Sequence, residues 1–140
     1  MSGGRVLGVD PGTVRIGLAL SDPLRTIASP LSVLKITSQK DGARKIVASA
    51  KENEVQLIVI GLPLLLSGAE GASAEMAREL AELVRRRTNI PIETFDERLT
   101  SKSAENSMQA AGLDSRAQRG RLDSVAAALM LQAYLDFNQS

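Results

Sequence analysis

Short apolar runs punctuated by turn residues open the chain, and each is too brief for a helix. Arg5 to Val9, Ile16 to Asp22 and Ile27 to Leu34 predict three strands joined by tight turns, hence an antiparallel start. Ser29 and Pro30 predict that the third is short or lies at an edge, since proline cannot donate to a ladder. The period changes between Ser38 and Asn53. Ile46, Val47 and Ala50 fall on one helical face there, with Lys40, Arg44, Lys45 and Lys51 mostly outside. Val55 to Gly61 is nearly unbroken apolar sequence, which predicts a strand covered on both faces at the middle of the sheet. A Pro- and Gly-punctuated loop, Leu62 to Gly71, leads to a helix from about Ser73 to Arg87 with Met76, Leu80, Leu83 and Val84 as its apolar stripe. Pro91 to Phe95 supplies another strand. Asp96 to Leu99 then leads into a helix capped by Thr100 or Ser101 and ended by Gly112. A connecting segment, Leu113 to Gly120, precedes a last helix with Leu122, Val125, Ala126, Leu129, Met130 and Ala133 as its stripe.

Three strands, helix, strand, helix, strand, helices is an α/β order: an antiparallel beginning with a parallel remainder. It resembles the ribonuclease H-like architecture, a mixed five-stranded sheet flanked by helices. With 140 residues, the expectation is one domain over 1–140, enough to bury roughly two-thirds of the unfolded surface. In open α/β sheets, sites collect beyond the carboxyl ends of the strands.

Composition removes several chemistries. Cysteine and histidine are absent, which excludes disulfides, thiol nucleophiles, Cys/His zinc sites and imidazole bases. No apolar run approaches the roughly 20 residues of a membrane span, and Met1 to Arg5 lacks a signal-peptide core, so a soluble cytoplasmic protein is expected.

What remains is carboxylate, lysine and hydroxyl chemistry. Asp10 stands where the first strand meets Pro11-Gly12-Thr13, placing an acid at a strand tip that faces solvent. Such a turn either presents the acid to a phosphate or metal, or uses it to bond the backbone two residues on. Two further acidic positions fall where the fold brings them to the same edge: Asp96-Glu97 after the last strand, and Asp123 in the last helix. Singly, Asp123 reads as a helix N-terminal acid and Asp96-Glu97-Arg98 as a surface ion pair. Together they read as a cation site, because clustered carboxylates repel unless a cation lies between them. Hard ions such as Mg²⁺ or Mn²⁺ prefer oxygen ligands. Two such ions about 3.5–4 Å apart would activate a water for phosphodiester hydrolysis without any histidine.

The net charge is only +1, so charge distribution matters more than total. Arg98, Lys102, Arg116, Arg119 and Arg121 oppose only Glu105 and Asp114, a locally positive stretch suited to phosphates. Arg85-Arg86-Arg87 forms a second knot, for which the favoured reading is a cationic helix end. With Phe95, Tyr134 and Phe137 as the aromatics, binding should run through phosphates and shape rather than base stacking.

Four ordered motifs then carry a family resemblance over nearly the whole chain. They are Leu7-Gly8-Val9-Asp10-Pro11-Gly12-Thr13 with Arg15-Ile16-Gly17 and Ser21-Asp22; Gly61-Leu62-Pro63-Leu64 with Gly68; Asp96-Glu97-Arg98-Leu99-Thr100; and Asp123 ahead of Ala126-Ala127. The sequence resembles the RuvX/YqgF family, described as pre-16S rRNA nucleases and Holliday junction resolvase-like proteins. The resemblance implies a metal-dependent nuclease with Asp10, Glu97 and Asp123 as catalytic, metal-binding acids and Mg²⁺ or Mn²⁺ as cofactor. Thr13, Arg15, Arg98, Thr100, Lys102, Arg119 and Arg121 are then the candidates to hold nucleic acid. The chain departs from the family where Leu65 replaces the usual Asn, leaving Leu64-Leu65-Leu66 as core or as a contact surface, with a lean toward the latter.

Structured RNA or branched DNA is the expected partner, and symmetric junction cleavage would call for a homodimer. Two other classes stay open. One is a non-catalytic RNA-binding or ribosome-assembly module. The other is an actin-like nucleotide-binding protein, suggested by Asp10, Gly12-Thr13 and Gly17, although that fold needs two lobes and this chain has room for one.

Overall fold

The structure, a computed structural model, describes residues 3–65, 67–100 and 119–138. Five strands form one sheet: β1 (Val6–Asp10), β2 (Arg15–Ser21), β3 (Ala28–Lys35), β4 (Leu57–Leu62) and β5 (Ile92–Asp96), in the order β3-β2-β1-β4-β5. β1, β2 and β3 are antiparallel neighbours, whereas β4 and β5 run parallel to β1. Among the described residues three helices cover the sheet: α1 (Gln39–Glu52), α2 (Ala72–Arg85) and α3 (Arg119–Phe137). This is the expected mixed five-stranded sheet flanked by helices.

One placement differs from expectation. The apolar strand at Val55 to Gly61 was expected in the middle, yet β1 occupies the centre and β4 lies between β1 and β5. All six β4 residues are buried nonetheless. A strand one place from the centre can therefore be as dry as the central one when helices cover both faces, so an apolar run reports burial and not order.

Local chemistry sets the boundaries. The Ser38 hydroxyl caps α1 by accepting from the Asp41 N–H at 3.1 Å, and Asp41 in turn accepts from the Thr37 N–H at 3.1 Å. β3 is an exposed edge strand, and Pro30 lies just past a register irregularity opposite Leu18 and Ala19. Gln132 of α3 ties the start of that edge down, accepting from Ala28 N–H and donating to the Thr26 carbonyl, both at 2.9 Å.

The period-two alternation of strand side chains divides the interior. Leu7, Val9, Ile16, Leu18, Ile58 and Ile60 face α1 and α2, where they meet Ile46 and Leu80. Val6, Ala19, Leu57, Val59 and Phe95 face α3, where they meet Ala127, Met130, Leu131 and Tyr134. The Tyr134 hydroxyl donates to Glu93 at 2.8 Å, so its polar tip is satisfied.

The stripe expected on α3 is rotated. Ser124, Ala127, Ala128, Met130, Leu131, Tyr134 and Leu135 are the buried residues, while Leu122, Val125, Ala126 and Leu129 are only half-buried. α3 is apolar nearly all round, so bulk does not mark its inner face; the glycines of the facing strands let the helix sit close. A Cβ on Gly8 would lie 2.9 Å from Leu131 Cβ, and one on Gly17 would overlap the backbone of Asp123. Among the described residues, no helix is long and apolar enough to cross a membrane. The helix expected between Thr100 and Gly112 lies outside the described residues, and a 3₁₀ turn at Glu97–Leu99 stands ahead of it.

Candidate active site

Asp10 ends the central strand and points, by alternation with Val6 and Gly8, to the α3 side of the sheet. Its cross-strand partner is Gly17. On the other side, Val9 pairs with Ile60, so the next residue of β4, Gly61, flanks Asp10 there. Asp10 thus sits between two residues without side chains. Each bare position is used. A Cβ on Gly17 would strike the Asp123 carbonyl, and a Cβ on Gly61 would strike the Glu97 carboxyl. The two glycines make the room through which Asp123 and Glu97 approach Asp10.

The loop after Asp10 is fixed as well. Gly12 is packed so closely on the Arg15 carbonyl that a Cβ would overlap it, and the Gln39 side chain of α1 donates to the Gly12 carbonyl at 2.9 Å.

Glu97 is aimed by its neighbours. Asp96 caps the 3₁₀ turn, accepting from the Arg98 N–H at 2.9 Å and gripping the Arg98 guanidinium at 2.7 to 3.0 Å. That clamp holds the Asp96 carboxyl below the usual carboxylate range and bends the chain so that Glu97 turns back over Gly61.

Electrostatics set this pair apart from other acids of the chain. Burial, then the charge of Glu97 and a hydrogen bond shared with it, then the charge of Asp123, push the Asp10 carboxyl up to about 8. Burial raises Glu97 as well. Asp10 is therefore half-buried and paired with an acid, not the solvent-facing carboxylate expected at a strand tip. Asp123 is nearer solvent, and its carboxylate takes Arg15 Nε at 3.0 Å. Consequently, among the described residues, no three acids already close around one point.

The donor set suits a hard divalent cation. Asp10 and Glu97 offer carboxylate oxygens with no cationic side chain among the described residues bonded to either, and their raised affinity for a proton marks a site short of positive charge. Asp123 stands next to them, held by Arg15.

The positions expected to hold phosphates divide. Thr13 is exposed in the β1–β2 turn. Arg15 is exposed but occupied by Asp123, and Arg98 by Asp96. The Thr100 hydroxyl is buried with no hydrogen-bond partner among the described residues. Arg119 and Arg121 open α3, and Lys102 lies outside the described residues. Sequence reasoning passed over Gly61 as a positioning residue; its signal was a glycine interrupting an otherwise apolar strand beside an acid. Leu65 is 54% exposed in the β4–α2 loop, while Leu64 packs against Leu62, Ala74 and Ala77. The third leucine, Leu66, lies outside the described residues.

The sequence model of one family, described as "RuvX: Holliday junction resolvase", matches residues 4–137. A protein of Anaeromyxobacter sp. (strain Fw109-5), named "Putative pre-16S rRNA nuclease", is 46% identical over 132 residues, covering 94% of this chain and 96% of the relative. Two solved structures share the fold at low identity. T. thermophilus RuvC in complex with a Holliday junction substrate superposes with a TM-score of 0.59 at 17% identity, covering 97% of each chain. The fowlpox virus resolvase in complex with its substrate Holliday junction DNA gives 0.61 at 9% identity, covering 97% of this chain and 99% of that one. At such identities the likeness establishes the ribonuclease H-like sheet and nothing finer.

Proposed function

Because the chain belongs to the RuvX family, we propose that it is a divalent-metal-dependent endonuclease that hydrolyses phosphodiesters in structured nucleic acid, with precursor 16S rRNA as its first substrate. The observation that carries this reading is the half-buried Asp10–Glu97 pair, with Asp10 seated between Gly17 and Gly61. Two carboxyls forced together at a sheet edge repel once both are ionised, unless a cation joins them.

Asp10, Glu97 and Asp123 would hold the cation. When bound, Mg²⁺ or Mn²⁺ would lower the pKa of the attacking water and neutralise charge growing on the phosphate, with no histidine needed. Asp10 would be the acid common to both neighbours, since it bonds Glu97 and feels the charge of Asp123. Asp123 would be a ligand once released from Arg15, whose guanidinium would then be available to a substrate phosphate. Arg98 acts first as a positioning residue, through its grip on Asp96, and Asp96 keeps Glu97 in place. Thr13 and Arg15 at the β1–β2 turn, with Arg119 and Arg121 at the head of α3, are the proposed phosphate contacts. Thr100 and Lys102 follow Glu97 in the chain and extend that set.

The 46% identical relative favours an RNA substrate. The family description favours a second reading, four-way DNA junctions, for which paired cuts require two copies of the chain. Exposed Leu65 is then the proposed contact between them.

The test is cleavage of a precursor 16S rRNA fragment and a four-way DNA junction in Mn²⁺ or Mg²⁺, with Asp10→Asn as control. The expected result is cleavage by the parent and a loss of at least about a hundredfold in the variant, since even outer-shell changes at metal sites cost 10- to 100-fold. Equal cleavage by Asp10→Asn would remove the carboxylate assignment, and no cleavage of either substrate would leave the binding-module reading in its place.

A further inference from the structure

A basic groove lies at the end of the sheet opposite the carboxylates. Two adjoining depressions, of about 490 and 480 Å³, share Lys51 and Arg87 on their walls. Gln56, Thr88 and Asn89 border the first and Arg44 the second, and no acidic side chain lines either. Arg44 and Lys51 are seven residues apart on one face of α1, so they stand about 10 Å apart along the groove. Asp41 partly neutralises Arg44 at 2.6 Å. Lys51 and Arg87 have no ion pair among the described residues, unlike Lys45 with Asp41 and Arg85 with Glu82.

Cations near the ends of α1 and α2 also offset the helix dipoles. Arg85, in the last turn of α2, already does this. A dipole alone does not require Lys51, in the last turn of α1, and Arg87, in the turn after α2, to meet in one depression rimmed by the neutral donors Gln56, Thr88 and Asn89.

We propose that this groove is a second nucleic-acid seat, holding the phosphodiester backbone of the substrate away from the bond that is cut. The inference rests on the nuclease reading and adds a place for the rest of the substrate. Gln56 precedes β4 and Pro91 precedes β5, whereas the acids follow β1 and β5 at the opposite ends of these parallel strands. Six residues of β4 separate the two ends, roughly 20 Å. The groove therefore engages a different backbone segment from the one at Asp10. A folded or branched substrate can supply both segments at once, and a short single strand cannot.

The experiment measures binding of the precursor rRNA fragment across a salt series for the parent, Arg87→Gln and the Lys51→Gln/Arg87→Gln pair. Cleavage of a short oligonucleotide confined to the cut site is followed in parallel. Both side chains are exposed, so folding is retained, and thermal midpoints check it. Each lost phosphate contact lowers the slope of log affinity against log salt by about 0.7 to 0.9. The double variant should lose about 1.4 to 1.8 and the single variant half of that, with the short oligonucleotide cut at the parental rate. An unchanged slope in the double variant, beside a parent that binds and cuts, would overturn the groove alone. Loss of short-oligonucleotide cleavage would also overturn it, because the groove would then not be separate from the active site. A parent that neither binds nor cuts would overturn the nuclease reading and the groove together.

Discussion

The two faces of the sheet are built on opposite principles. Toward α1 and α2 the strands send Leu7, Val9, Ile16, Leu18, Ile58 and Ile60, all fully buried, against Ile46 and Leu80. Toward α3 they send Gly8, Gly17 and Gly61 beside smaller or fewer side chains, and the helix answers with Ala127 and Ala128. Bulk on the first face supplies stability, since each fully buried Leu or Ile contributes about 1.5–3 kcal/mol. Closeness on the second supplies position: glycines bring Asp123 and Glu97 to Asp10. The molecule separates what holds it together from what it proposes to do, and the acids lie wholly on the close-packed side.

Breaking each face should therefore have a different signature. The largest stability effect belongs to the bulky face, where Leu80→Ala should lower unfolding free energy by about 2–5 kcal/mol with cleavage of folded protein unchanged. Chemical denaturation and a rate at low temperature check both halves. Next comes Gly17→Ala, whose new methyl meets backbone of α3, not a movable side chain. A cost of about 1–3 kcal/mol is expected together with lost cleavage, because α3 carries Asp123 away as it moves. Gly61→Ala should separate the two quantities. Its methyl meets only the end of the Glu97 side chain, so the thermal midpoint should stay near the parent's while cleavage falls by about 10- to 100-fold. Gly61→Ala retaining parental cleavage would show that the seat between the glycines is not required.

The sequence made the first face plain and the second only in part. Ile46, Val47 and Ala50 of α1 are buried as their spacing predicts, because large apolar residues at helical period mark a thick interface directly. α3 defeated the same rule. Met130 of the expected stripe is buried, but Leu122, Val125 and Leu129 are half-buried, and Leu131, Tyr134 and Leu135 face the sheet beside Ala127 and Ala128, so periodicity of bulk placed the inner face off to one side. The acids themselves were legible from strand ends and family motifs. Two things were not. That Asp10 is half-buried against Glu97 depends on register, which places Gly17 and Gly61 beside it and which no single stretch of sequence encodes. That Asp123 pairs with Arg15 depends on two side chains 108 residues apart.

Asp10 and Glu97 are proposed to be held together as a cation seat. That seat is tested most directly by thermal midpoints of the parent and Asp10→Asn from about pH 5 to about pH 9, with and without Mn²⁺. Asp10 is raised to about 8 in the folded protein from an ordinary value of 3.8, so between those values the folded state binds the extra proton. Without metal, the contribution of Asp10 to stability should therefore fall as pH rises through that window and level off above about 8. Mn²⁺ should reverse the fall by binding the ionised pair, adding about 2.7 kcal/mol at one hundred times its dissociation constant. Asp10→Asn should lose the Asp10 share of the slope, leaving only the smaller part that burial of Glu97 contributes, and should lose the rescue. An identical slope in Asp10→Asn, or a parent whose midpoint Mn²⁺ leaves unmoved at alkaline pH, would contradict the account.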